Sequence, residues 1–213
     1  MGTERGENII FLFFTMEKIE YREYHNQKLN VSQYWDMLDI GNGADIVTQE
    51  LIKILPSGSS IFEYGAGRGR NAIPLVEKGH YVTAQDIANR AILDLVNTIN
   101  GRHLTIKTIV GDARDIEHDQ MYDVFMIIRM LHFLPVDDVL QIIRNIKSYT
   151  RIGGYNVFVI FSNNPTSNNY FPSREIFLDL YKDWKIVFEN SEISKTSEGK
   201  EMPRFSIILQ KLI

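Results

Sequence analysis

Ile61-Phe62-Glu63-Tyr64-Gly65-Ala66-Gly67-Arg68-Gly69-Arg70-Asn71 is an apolar run that breaks into three alternate glycines. It reads as a buried strand entering a sharp turn and then a helix. Alternate glycines allow left-handed backbone and the close approach of a ligand where a Cβ would collide. Free N–H groups at the start of the helix favour a negative group on that ligand. The spacing is Gly-x-Gly-x-Gly, with Glu63 two residues upstream. A dinucleotide fingerprint, Gly-x-Gly-x-x-Gly, takes glycine at position 70, where this chain has arginine, and no Gly-Lys-Ser/Thr follows to make a Walker loop. The turn therefore suits a nucleoside with a small anionic group better than a pyrophosphate.

Outward from this stretch, apolar strand-like runs alternate with helical patterns. Strands are expected at 60–64, 81–86, 104–110, 122–128 and 155–161, and helices at 70–78, 90–100 and 136–150. Upstream, a helix over 44–55 carries Ile46, Val47, Leu51, Ile54 and Leu55 on one side and stops before Pro56-Ser57-Gly58. Downstream, a short helix near 174–181 precedes two strand-like runs, 184–192 and 204–212, parted by the polar residues 194–201. This order predicts an α/β fold, a doubly wound, mainly parallel seven-stranded sheet closed by a C-terminal antiparallel hairpin. The expected division is an N-terminal arm with lid or packing helices, 1–56, and a binding domain, 57–213.

Composition bounds the chemistry. The 213 residues are 44% hydrophobic and 23% charged, with a net charge of −4, so a soluble globular chain without a broad basic face for nucleic acid is expected. With no cysteine there is no disulfide, no thiolate nucleophile and no Cys-ligated metal, which fits a cytoplasmic protein. The five histidines are not at ligand spacing, and no metal is expected. The apolar run Ile9 to Phe14 is too short to span a membrane and follows Glu4 and Glu7, so neither a membrane segment nor a signal peptide is expected. A homodimer is compatible with the sequence.

Two further acids fall where a doubly wound sheet brings them beside the glycine turn. Asp86 ends the second strand and suits two ribose hydroxyls; Asp112, in Gly111-Asp112-Ala113, follows the third and suits an exocyclic amine. Each would equally serve as a cap for the turn after it. Glu63 to Asn71, Gly79 to Asp86, Gly111-Asp112-Ala113, Tyr122-Asp123-Val124 and Leu131-His132-Phe133-Leu134 together resemble the motifs of the class I S-adenosylmethionine-dependent methyltransferases. Within them, Gly69-Arg70-Asn71, Phe133-Leu134, Gly153-Gly154-Tyr155-Asn156 and a tail with Phe171-Pro172, Trp184 and Arg204-Phe205 are similar to the tellurite-resistance methyltransferase group. The chain departs from that group at Ser194-Lys195, where a His-Arg pair is usual, and at Ile127-Ile128, where small polar residues are usual. Tellurite itself is therefore not carried over as the acceptor.

The resemblance implies S-adenosylmethionine as cofactor. Its methionine end would lie across Gly65, Ala66 and Gly67 with the ammonium toward Glu63, and Arg70 would pair with its carboxylate or face solvent. Asp86 would hold the ribose, Ile87 the adenine face, and Asp112 with Ala113 the adenine edge. Methyl transfer to a small-molecule substrate needs an in-line acceptor and a dry site more than acid–base help. Arg129, His132 and Phe133 after the fourth strand would flank that acceptor, with Arg204 of the tail and Tyr34 and Trp35 of an N-terminal lid completing the substrate side. His132 would orient or deprotonate the acceptor, or else be a hydrogen-bonded core histidine. Base amino-methylation lacks its tetrapeptide, since Arg129-Met130-Leu131-His132 stands there, and cytosine C5 chemistry lacks its cysteine. A soft or anionic chalcogen or thiol acceptor remains. The competing expectation is a module that binds the cofactor without turnover, because a fold alone does not establish catalysis.

Overall fold

The computed structural model describes residues 43–161, 173–195 and 201–213, all within one compact unit, Asn42–Ile213. The strands are β1 (Ser60–Tyr64), β2 (Tyr81–Asp86), β3 (Lys107–Val110), β4 (Tyr122–Ile128), β5 (Thr150–Phe161), β6 (Trp184–Lys195) and β7 (Glu201–Lys211). The helices are α1 (Ile46–Ile54), α2 (Ala72–Glu77), α3 (Asn89–Gly101), α4 (Val136–Tyr149) and α5 (Arg174–Asp179), with 3-10 turns at Ala113–Asp115 and Leu131–Phe133.

The seven strands lie in the order β3-β2-β1-β4-β5-β7-β6. The first five are parallel, and β7 runs antiparallel between β5 and β6, which makes the C-terminal hairpin the sheet edge expected from the sequence. Strand order reverses at β1, flanked by β2 on one side and β4 on the other. A crevice opens at the carboxyl ends of such strands, and there this fold binds its ligands. One face of the sheet packs Val47, Leu51, Leu75, Leu95 and Ile208 with strand residues; the other packs Tyr64, Phe125, Ile143, Phe158, Phe177 and Ile207. No helix among the described residues is long and apolar enough to cross a membrane.

Several boundaries and one helix face differ from expectation. β3 starts at Lys107 instead of 104, since Ile106 is buried but outside the ladder. β5 starts at Thr150 instead of 155, where its register with β4 shifts between Tyr122 and Val124. In α1, Ile46 and Ile54 are 37% and 38% exposed, and the buried stripe is Val47, Thr48 and Leu51. A helical period centred on Thr48 turns the two isoleucines to the rim, and Thr48 is central because its hydroxyl has a buried partner, described below.

Under β1, the Tyr64 hydroxyl and His118 Nε2 are 2.7 Å apart in a box of Phe62, Tyr122, Phe125 and Tyr149. Burial pushes His118 down from 6.5 to about 4, so the folded protein keeps it neutral. Between those values the unfolded chain binds the extra proton, and stability falls as pH drops through the window. Replacing His118 with phenylalanine is expected to remove that component. The stability difference between wild type and variant, from urea denaturation, should then change by up to ~1.4 kcal/mol per pH unit across the window and be flat above it.

Candidate functional site

The turn after β1 is built by its own neighbours. Gly65, Gly67 and Gly69 have φ of 65°, 57° and 80°. A Cβ on Gly65 would stand 2.9 Å from Met130 Cγ, and one on Gly69 would run into Leu95 Cδ1. These two glycines are thus required by backbone conformation and by packing against the chain itself. Their closeness to a ligand was the expectation; their closeness to Met130 and Leu95 is what the coordinates give.

Two carboxylates close the floor of the crevice. Glu63, on β1, is 1% exposed and Asp86, at the end of β2, is 3% exposed. Asp86 is held by backbone alone: Gly67 N–H donates to Oδ2 and Ala88 N–H to Oδ1, each at 2.8 Å. It therefore caps the turn into α3 and is fixed beside the glycine turn at once. Desolvation raises its pKa, opposed by the backbone N–H groups of Ala88, Gly67 and Ile87. Glu63 accepts from Asn71 Nδ2 at 3.3 Å, while its Oε2 has no hydrogen-bond partner among the described residues. Burial pushes Glu63 up to about 8, with the Asn71 hydrogen bond and Arg70 pulling it down and Asp86 adding to the rise.

Asp45, the N-cap of α1, ties this floor to the loop after β4. Its Oδ2 accepts from Arg70 at 3.1 Å and from Arg129 at 2.9 Å, and the side chain is 3% exposed. Arg129 has a φ of 57°, a left-handed conformation that costs a non-glycine residue roughly 1–2 kcal/mol. It is held there by its N–H on Val159 O and by Asp45. His132 follows in the next turn, its ring 4.0 Å from that of Phe133 and edge-on to Phe161 at 5.0 Å. Burial, and then the charge of Arg129, push His132 down to about 3.

The remaining candidates lie around this centre. Ile87, beside Asp86, is 40% exposed, as an open apolar surface for a flat ring would be. Asp112 follows β3, but its carboxylate is engaged by Arg114: backbone N–H at 2.9 Å, Nε at 2.8 Å and a further contact to Nη2. Ala113 packs against the aromatic face of the core. Arg204 lies opposite Phe161 in the β5–β7 ladder and pairs across β7 with Glu192, its Nε 2.5 Å from Oε1. Tyr34 and Trp35 lie outside the described residues.

Four positioning groups were not singled out from the sequence: Asp45, Thr48, Asn71 and Gln85. Gln85, 1% exposed on β2, accepts from Gly65 N–H at 3.4 Å and donates to Gly111 O, joining the first turn to the one bearing Asp112. A long polar residue directly after Val82-Thr83-Ala84, inside a strand-like run, is the available signal.

Comparison with known proteins bears on the fold and the family. A protein of Haemophilus influenzae named a probable S-adenosyl-L-methionine-dependent methyltransferase TehB is 29% identical over 151 residues, covering 67% of this chain and 53% of that protein. The chain thus spans about half the length of that relative. The crystal structure of TehB from Haemophilus influenzae superposes with a TM-score of 0.71 at 24% identity, over 77% of this chain and 61% of that one. A SAM-dependent methyltransferase structure from Methanosarcina mazei gives 0.64 at 19% identity, over 77% and 97%. These likenesses establish the fold. The family model described as tellurite resistance protein TehB matches residues 23–204, well over half of the chain, and the chain belongs to that family.

Proposed function

We propose that this chain binds S-adenosylmethionine at the β1/β4 crevice and catalyses methyl transfer to a small anionic or soft acceptor. The observation that carries the reading is the buried, half-satisfied Glu63: an acceptor oxygen without a partner, beside a second buried carboxylate, calls for a cationic donor. The cofactor's α-ammonium is such a donor. Its sulfonium supplies an activated methyl group whose transfer leaves a neutral thioether.

The chain's own residues bind, orient and keep the site dry. Glu63 takes the ammonium; Arg70, partly buried beside it, is within the same turn for the carboxylate. Asp86, held by its backbone bonds from Gly67 and Ala88, keeps acceptor capacity for a ribose hydroxyl. Ile87 offers the apolar surface for adenine. Asp112 would share an oxygen with the adenine amine while Arg114 keeps the carboxylate in place.

On the acceptor side, His132 is proposed to orient and not to take a proton. An imidazole pushed down to about 3 is a feeble base at neutral pH, whereas its neutral ring still hydrogen-bonds. The charge of Arg129 reaches His132, and an anionic nucleophile in the same place would feel it as attraction. Phe133 and Phe161 wall that place with apolar surface, which excludes water. Arg204 lies opposite Phe161 and is paired with Glu192, so it would contribute to the acceptor side as a positioned guanidinium. A screen with labelled methyl donor over thiol, selenite and tellurite acceptors tests the reading; turnover on any supports it. Binding without turnover on any would leave a cofactor-binding module.

Two substitutions sharpen the site. Asp86→Ala is expected to weaken S-adenosylhomocysteine binding by roughly 1–3 kcal/mol, measured by calorimetry, because the ribose hydroxyls lose their acceptor. His132→Ala should lower kcat on the acceptor found in the screen while leaving that binding intact. The shape of the rate profile between about pH 5.5 and 8 should be unchanged, since the group removed does not titrate there.

A further inference from the structure

The amide of Asn71 has one orientation that its neighbours accept. The backbone N–H of Asp45 can only donate, and it meets Asn71 Oδ1 at 2.9 Å. The Thr48 hydroxyl meets the same oxygen at 3.0 Å. A flipped amide would set N–H against N–H, so the amino end must point away from α1. It points at Glu63, with Nδ2 3.3 Å from Oε1. Asn71 is 5% exposed and Thr48 fully buried, so water does not compete for these bonds.

We infer that Asn71, locked by the first turn of α1, is a positioning residue that holds one oxygen of Glu63 and presents the other to the cationic amine of the ligand. The inference rests on the cofactor reading for the identity of that amine, but the network itself stands on geometry. A donor to one oxygen favours the ionised carboxylate, which is the form an ammonium needs. The backbone N–H of Ala72 shares the task. In the ladders beside Glu63, the partners are Ala84 on β2 and Met126 on β4, neither of them charged. Arg70, in the turn, favours the carboxylate, and Asp86, at the end of β2, opposes it. Burial is the largest influence and Asn71 the first to offset it.

The chemistry of the alternatives explains why an amide is needed here. Aspartate would satisfy Asp45 and Thr48 equally well, but it would face Glu63 with a second acceptor and a like charge. Leucine would fill the space and leave the Asp45 N–H without a partner. Asparagine alone accepts on one side and donates on the other at this length.

Asn71→Asp is the strongest variant, because it keeps both contacts to α1 and sets an acceptor of like charge where Glu63 had a donor, and Thr48→Val is the variant that separates loss of the donor from added charge. For the wild type, affinity for S-adenosylhomocysteine, measured by calorimetry from about pH 6 to 9 and referred to the fraction of ligand whose α-amine is protonated, should rise with pH and level off as Glu63 completes its ionisation. In Asn71→Asp the levelling should move up by about one pH unit or more, with affinity at neutral pH reduced about ten-fold. Glu63→Gln should flatten the profile, and Asn71→Asp should change it no further in that background. Thr48→Val, which loosens the lock without altering charge, should move the profile the same way by less. A wild-type pH profile in both Asn71→Asp and Thr48→Val would overturn the inference and make Asn71 a structural residue only. If the wild type does not bind the ligand at all, the cofactor reading fails. The inference is then decided by carbon NMR of the Glu63 carboxyl in the unliganded protein. A raised titration midpoint in Asn71→Asp supports it, and an unmoved one overturns it.

Discussion

Glu63 and Asp86 are carried to the carboxyl ends of adjacent parallel strands and buried there with less positive charge than they need. Taking a carboxylate out of water is costly unless hydrogen bonds or an opposite charge replace the solvent. Asp86 is compensated by two backbone N–H groups of fixed position. Glu63 is helped by the Asn71 amide and the backbone N–H of Ala72, yet burial outweighs them and holds much of it protonated at neutral pH. The fold thus keeps an unfavourable site that a cationic ligand would relieve, as is common where binding must be strong and local. The glycine turn, the Asp86 turn that leads into α3 and the anchoring of α1 all serve to hold these two groups where they are.

The same economy of charge links the cofactor seat to the proposed acceptor seat. Asp45 is one buried carboxylate bonded to two guanidiniums, one in the glycine turn and one after β4. Through its backbone N–H on Asn71, the same residue also steadies Glu63. The first turn of α1 is therefore a common support for both seats, and a disturbance there would be felt at each. The left-handed backbone of Arg129 fits this view. Strain at a functional loop persists only where surrounding bonds over-determine it, as Asp45 and Val159 do here.

Local sequence made part of this readable. Alternate glycines after an apolar strand specify their turn, and strand-end acids follow from period and spacing, so β1, β2, the mainly parallel sheet with its C-terminal hairpin and the place of Asp86 at the end of β2 could be foreseen. Groups that work across long separations could not. Asn71 bonds Thr48 and Asp45, 23 and 26 positions away, and Arg129 reaches Asp45 across 84. Nothing adjacent to Thr48 marks it as buried; its burial follows from a partner that only the fold supplies. The same holds for Asp112, whose place after β3 was legible but whose engagement by Arg114, and through it Asp138, was not. The pKa of His132 follows from packing under Phe133 and Phe161 and from Arg129, none of which a motif conveys.

In the proposed seat after β1, a carboxyl stays largely protonated until a cation arrives. Calorimetric titration of the wild-type protein with S-adenosylhomocysteine at about pH 7, repeated in buffers of different ionisation enthalpy, measures protons exchanged on binding. With Glu63 raised to about 8, the account predicts release of nearly one proton per ligand bound. Binding with no proton released would contradict it.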